Sequence, residues 1–203
     1  MEIPIVRRRT TRLTDYDYSR SGGYFVTICT HHRNCLFAEI VDGKAILNEF
    51  GKIVESRWWD LPNRYPGVEI DQFVIMPNHL HGILIINEYS VGAIHELPLQ
   101  QRKGSPEIQM RKNRRKMLLP KIIGFLKMNS AKEINEIRKT SGQPVWQRNY
   151  YEHVIRNEKD LARIYEYIEN NPLQWHLDEE NPKFLKNFMP TGENAPTRRR
   201  GNS

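Results

Sequence analysis

Residues 68–87 read VEIDQFVIMPNHLHGILIIN, and this stretch decides the fold. Two runs rich in β-branched, aromatic and other apolar residues, 68–76 and 79–87, are separated only by Pro77 and Asn78. Such runs predict two strands joined by a tight turn, in the manner of a β-hairpin. Both strands are expected to be central strands of a sheet.

The sequence on either side of this hairpin predicts the other elements of an α+β domain. A β-branched and aromatic run predicts a strand, and apolar residues at steps of three and four predict helices. The predicted elements are a strand at 24–30, a helix at 46–61, a helix at 117–138, a short strand at 145–155 and a helix at 158–171. The resulting order, β, α, β, β, α, β, α, is that of the ferredoxin-like, split βαβ fold, an antiparallel sheet with helices packed on one face.

The length of 203 residues is enough for one domain with extensions. We place a catalytic domain at 1–175, interrupted by a Gly-, Pro- and Gln-rich basic loop insertion at 88–116. Residues 176–203 form a polar tail without periodicity. No apolar run approaches the roughly 20 residues that a bilayer-spanning helix needs, so a cytoplasmic location without membrane contact is expected.

Basic residues exceed acidic ones, with 31 Lys and Arg against 24 Asp and Glu, a formal net charge of +7. The excess is concentrated at 7–12, 102–116 and 198–200. Clustered basic residues are typical of proteins that bind polyanions, because phosphate contacts release counterions. A solvated basic surface without a nucleic-acid partner is the alternative interpretation.

The stretch His79-Leu80-His81 carries the first chemical signal. Alternate residues of a strand project to the same face, so both imidazoles point one way while Leu80 points into the core. Two neutral imidazoles placed together can bind one divalent cation, and Gly82 would leave room for a substrate backbone. The alternative is a pair of surface or hydrogen-bonded histidines without a metal.

Tyr167 and Asn171 carry the second signal, since residues four apart on a helix share one face. Two imidazoles and an amide oxygen leave positions on a metal for a phosphate oxygen, which the metal would polarise toward a nucleophile. A tyrosine suits that role because its phenolate both attacks phosphorus and leaves again. Alternatively, Tyr167 is an aromatic of the packed face beside Ile164 and Ile168.

Three other tyrosines compete for the role of nucleophile: Tyr150, Tyr151 and Tyr165. Tyr165 has Glu169 rather than an amide four residues on. Tyr150 and Tyr151 lie on the predicted strand, where either could stack on a base or complete the core. Two arginines flank that strand as candidate phosphate contacts, Arg148 and Arg156.

Four stretches together resemble one known family: YFVTICT, then MPNHLHGILII, then PVWQRNYYEHVIRNEKDL, then IYEYIENNPLQW. In this order they are similar to the single-tyrosine HUH transposases, and within these to the REP-associated tyrosine transposases, relatives of the insertion-sequence-200 type. The resemblance covers roughly residues 8–175. The joint set of motifs is far more specific than any one of them.

The resemblance implies a transposase-like DNA endonuclease and strand transferase. His79 and His81 match the histidine pair that would bind Mg²⁺ or Mn²⁺, and Asn171 matches the third ligand. Tyr167 matches the nucleophile that would attack a single DNA strand to give a 5′-phosphotyrosine and a free 3′-OH. Many insertion-sequence relatives have Gln where this chain has Asn171, which instead resembles the REP-associated form. Hairpin-forming repeats are the DNA substrates implied.

Two other classes of function remain open from the residues. One is a non-catalytic module that binds single-stranded nucleic acid through Tyr150, Tyr151 and the arginines. The other is a metal-dependent hydrolase that uses water, with Tyr167 as a structural residue. The sequence also leaves a monomer and a homodimer open.

Overall fold

A computed structural model of the protein describes residues 16–88, 117–178 and 180–182. The strands are β1 Gly22–Cys29, β2 Ala38–Val41, β3 Lys44–Leu47, β4 Val68–Ile75, β5 His79–Ile86 and β6 Tyr151–Ile155. The helices are α1 Glu49–Trp59, α2 Leu61–Arg64, α3 Leu118–Arg138 and α4 Glu158–Asn170, with short 3₁₀ turns at His31–Arg33 and Trp175–Leu177.

Four strands form an antiparallel sheet in the order β4-β5-β1-β6, and β2 pairs with β3 in a separate hairpin. Counting only the strands of the larger sheet along the chain, this order is 4-1-3-2. That is the topology of the split βαβ unit, in which a later strand inserts antiparallel between two earlier ones. The predicted ferredoxin-like α+β fold with helices packed on an antiparallel sheet is therefore confirmed.

The two faces of the sheet carry different layers. Helices α1 and α3 cover one face, where their apolar residues bury Leu80, Leu84 and Val26 in the main core. Helix α4 lies on the opposite face, where Ile164 and Ile168 pack against Phe25 and Ile83. The prediction that helices pack on one face of the sheet holds for α1 and α3. Helix α4 instead forms a second, smaller layer on the other face, which is the face that carries the two histidines.

The prediction that both hairpin strands are central is correct for β5 and wrong for β4. In the described sheet β5 pairs with β4 and with β1, whereas β4 pairs with β5 alone. One strand of a hairpin gains a second neighbour when another strand docks beside it, and here β1 docks beside β5. The side chains of β4 are accordingly less buried, with only Val68 and Ile75 fully inside.

Two element boundaries also differ from the prediction. The helix predicted from residue 46 begins at Glu49, because the Asn48 side chain accepts a hydrogen bond from the backbone N–H of Gly51 and caps it. The preceding residues pair in β3. The strand predicted at 145–155 is regular only in β6. Before β6 the chain keeps one isolated bridge to the sheet edge, between Trp146 and Thr30, and the Lys127 ammonium binds the Gln147 and Asn149 carbonyls between them.

Several predictions fall on residues outside the described part of the chain. They are the basic clusters at 7–12, 102–116 and 198–200, the insertion at 88–116 beyond its first residue, and the tail beyond residue 182. Among the described residues, none of the helices combines the length and apolar character that crossing a bilayer requires.

Candidate active site

His79 and His81 project from β5 toward α4, as the alternation of a strand predicts. Their ring centroids lie 4.4 Å apart, and their exposed fractions are 0% and 3%. Leu80 between them is buried in the core on the opposite face. The two imidazoles are therefore adjacent and buried, and the alternative of surface histidines is excluded.

Asn78 fixes the protonation of His79. The Asn78 side-chain nitrogen donates to the backbone carbonyls of Arg33 at 3.0 Å and Glu180 at 2.7 Å. Because a carbonyl can only accept, the amide oxygen must point the other way, to His79 Nδ1 at 2.9 Å. Nδ1 therefore carries a proton, and in the neutral ring Nε2 keeps the lone pair, which is the tautomer that a metal-binding histidine with a supporting carbonyl adopts.

His81 is held by its neighbours on the sheet and by α4. Its Nδ1 lies 2.8 Å from the hydroxyl of Thr27, its cross-strand partner on β1. The Phe25 ring stacks on the imidazole with a centroid distance of 5.5 Å and an angle of 20°. The Tyr167 hydroxyl lies 3.3 Å from Nε2. The ring orientation is therefore set on both sides, with Nε2 directed at the helix.

Tyr167 lies at the rim of the site rather than in the packed layer. Its side chain is 47% exposed, whereas Ile164 and Ile168 on the same helix are 6% and 1% exposed. The edge of its ring meets Phe25 at a centroid distance of 6.0 Å. The phenol oxygen thus touches a buried histidine while the ring remains open to solvent, so a substrate can reach it.

Asn171 follows the last turn of α4 and is 6% exposed. Its side-chain oxygen is buried and accepts no hydrogen bond from any of the described residues. An orphaned buried acceptor is costly, so such a group generally has a partner such as water or an ion. The amide oxygen predicted as a third ligand is thus a buried acceptor that an ion would satisfy.

The competing tyrosines are placed differently. Tyr165 points to β4, where its hydroxyl donates to the Asp71 carboxylate, and this hydrogen bond raises the pKa of the phenol. Tyr150 packs against the main core on the other face of the sheet, with the Lys127 ammonium 5.4 Å from its ring centroid. Tyr151 lines the same cavity as Tyr167. Tyr165 also packs on the α4 face of the sheet, but of these three tyrosines Tyr151 alone lines the cavity that Tyr167 lines.

A cavity of about 410 Å³ opens between the sheet and α4. Its lining includes His81, Tyr167, Tyr151 and Phe25 together with residues that the sequence did not single out: Thr27, His153, Arg163, Ile164, Asp178 and Glu180. Beside the first turns of α4 a groove is lined by Arg156, which precedes the helix, and by polar residues of the helix that include Lys159 and Arg163. Arg148 is exposed and lines neither of these.

Asp178 is the residue that the sequence analysis missed most clearly. One ligand atom from each of His79, His81 and Asp178 lies within 4.8 Å of the others. The donors gathered here are two imidazole nitrogens and a carboxylate oxygen, a set that suits a divalent cation such as Mn²⁺ or Mg²⁺. No motif singled out Asp178, because it lies beyond the last helix in a stretch without periodicity.

Gly82 does not leave room for a substrate, which corrects the sequence interpretation. It follows His81 on the strand and so faces the opposite side, where α1 packs. A Cβ on Gly82 would lie 2.5 Å from Trp58 Cζ2 and 3.1 Å from Phe73 Cβ. The missing side chain of Gly82 admits the Trp58 indole into the core, and it contributes to the site only through the position of β5.

These features define a ferredoxin-like protein whose sheet carries a histidine pair facing a helical tyrosine, and the comparisons with known proteins agree. No model of a known family matches the chain. It is 43% identical over 178 residues to an uncharacterised protein of Haemophilus influenzae, covering 86% of this chain and 93% of that one. It is also 26% identical over 159 residues to a Haemophilus influenzae protein named as a REP-associated tyrosine transposase, covering 78% and 74% of the two chains.

Two solved structures are similar in part. A REP-associated tyrosine transposase bound to a REP hairpin matches with a TM-score of 0.46 and 18% identity, over 83% of this chain and 76% of that one. A protein of Deinococcus radiodurans assigned as a transposase matches with a TM-score of 0.42 and 17% identity, over 79% and 96%. The chain is thus similar to REP-associated tyrosine transposases, the resemblance that its sequence motifs indicate.

Proposed function

We propose that this protein cleaves and rejoins single-stranded DNA, with Tyr167 as the nucleophile. The observation that carries the proposal is the position of the Tyr167 hydroxyl, 3.3 Å from His81 Nε2 on a side chain that is 47% exposed. A nucleophile must reach both its activating groups and its substrate. Of the four candidate tyrosines, Tyr167 has its hydroxyl at the histidine pair.

The reaction is a transesterification at phosphorus. The Tyr167 oxygen forms a bond to the phosphorus of a DNA phosphodiester, the bond from phosphorus to the 3′ oxygen breaks, and a 5′-phosphotyrosine remains. The phenol loses its proton to solvent and the released 3′ oxygen gains one. Attack of a 3′-OH on the phosphotyrosine reverses the step and joins a strand without an external energy source, because the ester bond energy is kept.

His79, His81 and Asn171 would hold a divalent cation, Mg²⁺ or Mn²⁺. Support comes from the fixed tautomer of His79, which directs the Nε2 lone pair away from Asn78, and from the buried, orphaned oxygen of Asn171. When bound, such an ion supplies Lewis-acid polarisation of a phosphate oxygen. The protein residues themselves orient the phenol and hold the two imidazoles adjacent.

The substrate we propose is a hairpin-forming DNA repeat with a single-stranded segment. A REP-associated tyrosine transposase, one of the similar solved structures, is bound to a REP hairpin. In this chain Tyr151 lines the cavity, and we propose that it stacks on a base. Arg156 and Arg163 line the groove beside α4, and we propose that they contact phosphates. Arg148 and Tyr150 lie away from both.

The test is a denaturing gel of the protein incubated with labelled hairpin DNA and Mn²⁺. We expect wild type to give a covalent protein–DNA band, which Tyr167→Phe abolishes and His79→Ala with His81→Ala reduces below detection. Tyr165→Phe is the matched control, because this tyrosine lies two residues away with its hydroxyl bonded to Asp71. It should retain the band.

Each other outcome points to a different function. If Tyr167→Phe retains the adduct and Tyr151→Phe loses it, Tyr151 on β6 is the nucleophile. Specific hairpin binding without an adduct in any metal would refute the transferase and favour a binding module. Cleavage without an adduct would indicate a hydrolase that uses water.

A further inference from the structure

The chain after α4 folds back onto the histidine strand instead of leaving the domain. The Glu180 carbonyl accepts a hydrogen bond from Asn78, and the Glu180 carboxylate pairs with Arg33 Nε at 2.8 Å. The Trp175 ring lies 5.9 Å from the ring of His79. Residues 175–178, 180 and 181, called here the return segment, therefore form a wall of the site, although the sequence placed nearly all of them in a polar tail.

The return segment directs one carboxylate at the histidines. Asp178 Oδ1 accepts a hydrogen bond from the backbone N–H of Glu180 at 2.7 Å, and this bond leaves Oδ2 facing His79 Nε2 at 3.8 Å. That separation is too long for a hydrogen bond. Two ligands of one Mg²⁺-sized ion lie between about 3.0 and 4.2 Å apart, given ligand distances of about 2.1 Å. The pair is therefore spaced as two ligands of an ion are.

We propose that Asp178 is a ligand of the divalent cation, so that the return segment supplies the only anionic group of the set. Imidazoles and an amide are neutral donors, whereas Mg²⁺ and Mn²⁺ favour oxygen ligands, carboxylates in particular. The proposal rests on the proposed function for the presence of an ion at His79 and His81. It adds that ion binding and docking of the return segment are linked, because one residue takes part in both.

The first measurement is Mn²⁺ affinity of the full chain, read from the signal of free Mn²⁺ in electron paramagnetic resonance. We expect Asp178→Asn to weaken Mn²⁺ binding by at least about 10-fold, since even groups that only support a ligand contribute about 10- to 100-fold. Asparagine keeps an oxygen that can accept the Glu180 N–H, so docking of the return segment is preserved while the anionic ligand is lost.

Two control variants separate ligation from docking. Arg33→Ala removes the partner of the Glu180 carboxylate, which is 5% exposed, and leaves Asp178 intact. It weakens docking without removing a ligand, so we expect a smaller loss of Mn²⁺ affinity than in Asp178→Asn. Asp160→Asn removes a carboxylate bonded to His153 and Arg163 on α4, and should leave Mn²⁺ binding unchanged. A loss in Arg33→Ala equal to that in Asp178→Asn would overturn the proposal.

Hydrogen exchange supplies a second readout that does not depend on activity. Mn²⁺ should slow exchange of the backbone amides of the return segment in wild type, and should not slow it in Asp178→Asn. Equal Mn²⁺ affinity in wild type and Asp178→Asn refutes the inference while leaving the Tyr167 adduct untouched. If wild type forms no covalent adduct but Asp178→Asn lowers Mn²⁺ affinity, the proposed function is refuted and the assignment of Asp178 as a metal ligand stands.

Discussion

Asn78→Ala should destabilise the fold by about 3 kcal/mol. The Asn78 side chain is fully buried and makes three hydrogen bonds, to the Arg33 and Glu180 carbonyls and to His79 Nδ1. Alanine removes all three, and a typical intramolecular hydrogen bond contributes about 1 kcal/mol. A domain of this kind has about 5–15 kcal/mol of stability, so the variant should fold and remain measurable.

Urea denaturation followed by circular dichroism at neutral pH measures this loss, with the free energy of unfolding extrapolated to water. Asn63→Ala is the control, because Asn63 makes one exposed hydrogen bond to Asp60 at 3.2 Å, and it should cost less than about 0.5 kcal/mol. A loss below about 1 kcal/mol in Asn78→Ala would refute the reasoning that Asn78 joins the return segment to the histidine strand. Hydrogen exchange of the return segment should rise in the same variant.

Two further predictions concern packing and pH. Gly82→Ala should lower the free energy of unfolding by about 1–3 kcal/mol in the same urea assay, because its Cβ would meet Trp58 Cζ2 at 2.5 Å. The control is Gly124→Ala on α3, where a Cβ meets no atom within 4 Å; it should raise the free energy of unfolding by about 0.5–1 kcal/mol. The hydrogen bond from His153 holds the pKa of Asp160 below its usual 3.8, so its contribution to stability is present above about pH 4 and is lost as pH falls through the lowered pKa. Urea midpoints of wild type and Asp160→Asn should therefore differ more at pH 6 than at pH 3, and a pH-independent difference would contradict this.

The sequence predicted those parts of the site that follow from local periodicity. The shared face of His79 and His81 is a consequence of strand alternation, and the position of Tyr167 one turn before Asn171 is a consequence of helical spacing. The ferredoxin-like order followed from the sequence of strands and helices. What brings α4 over the histidine face is the pairing of β6 with β1, a long-range contact that no local pattern encodes.

Gly82 shows why local inference failed where it did. A glycine after a histidine motif has two interpretations, room for a ligand or room for a neighbouring side chain, and only the packing of α1 decides between them. The Trp58 indole fills the space. The same holds for β4, because β-propensity and apolar content do not distinguish a strand with two neighbours from one whose second side is open.

Of the proposed ligands of the divalent ion, His79, His81 and Asn171 are neutral donors and Asp178 is anionic. Asn171 follows the last turn of α4 and Asp178 lies in the return segment, so the two proposed oxygen ligands come from different parts of the chain. A helix-borne amide is rigidly placed, whereas a carboxylate on a short returning segment depends on Asn78 and Arg33 to hold it. Because the same Asn78 side chain also sets the tautomer of His79, one buried amide controls two of the proposed ligands together. Mutations at Asn78 should therefore lower Mn²⁺ affinity and fold stability in parallel, whereas Asp178→Asn should lower affinity with stability nearly intact.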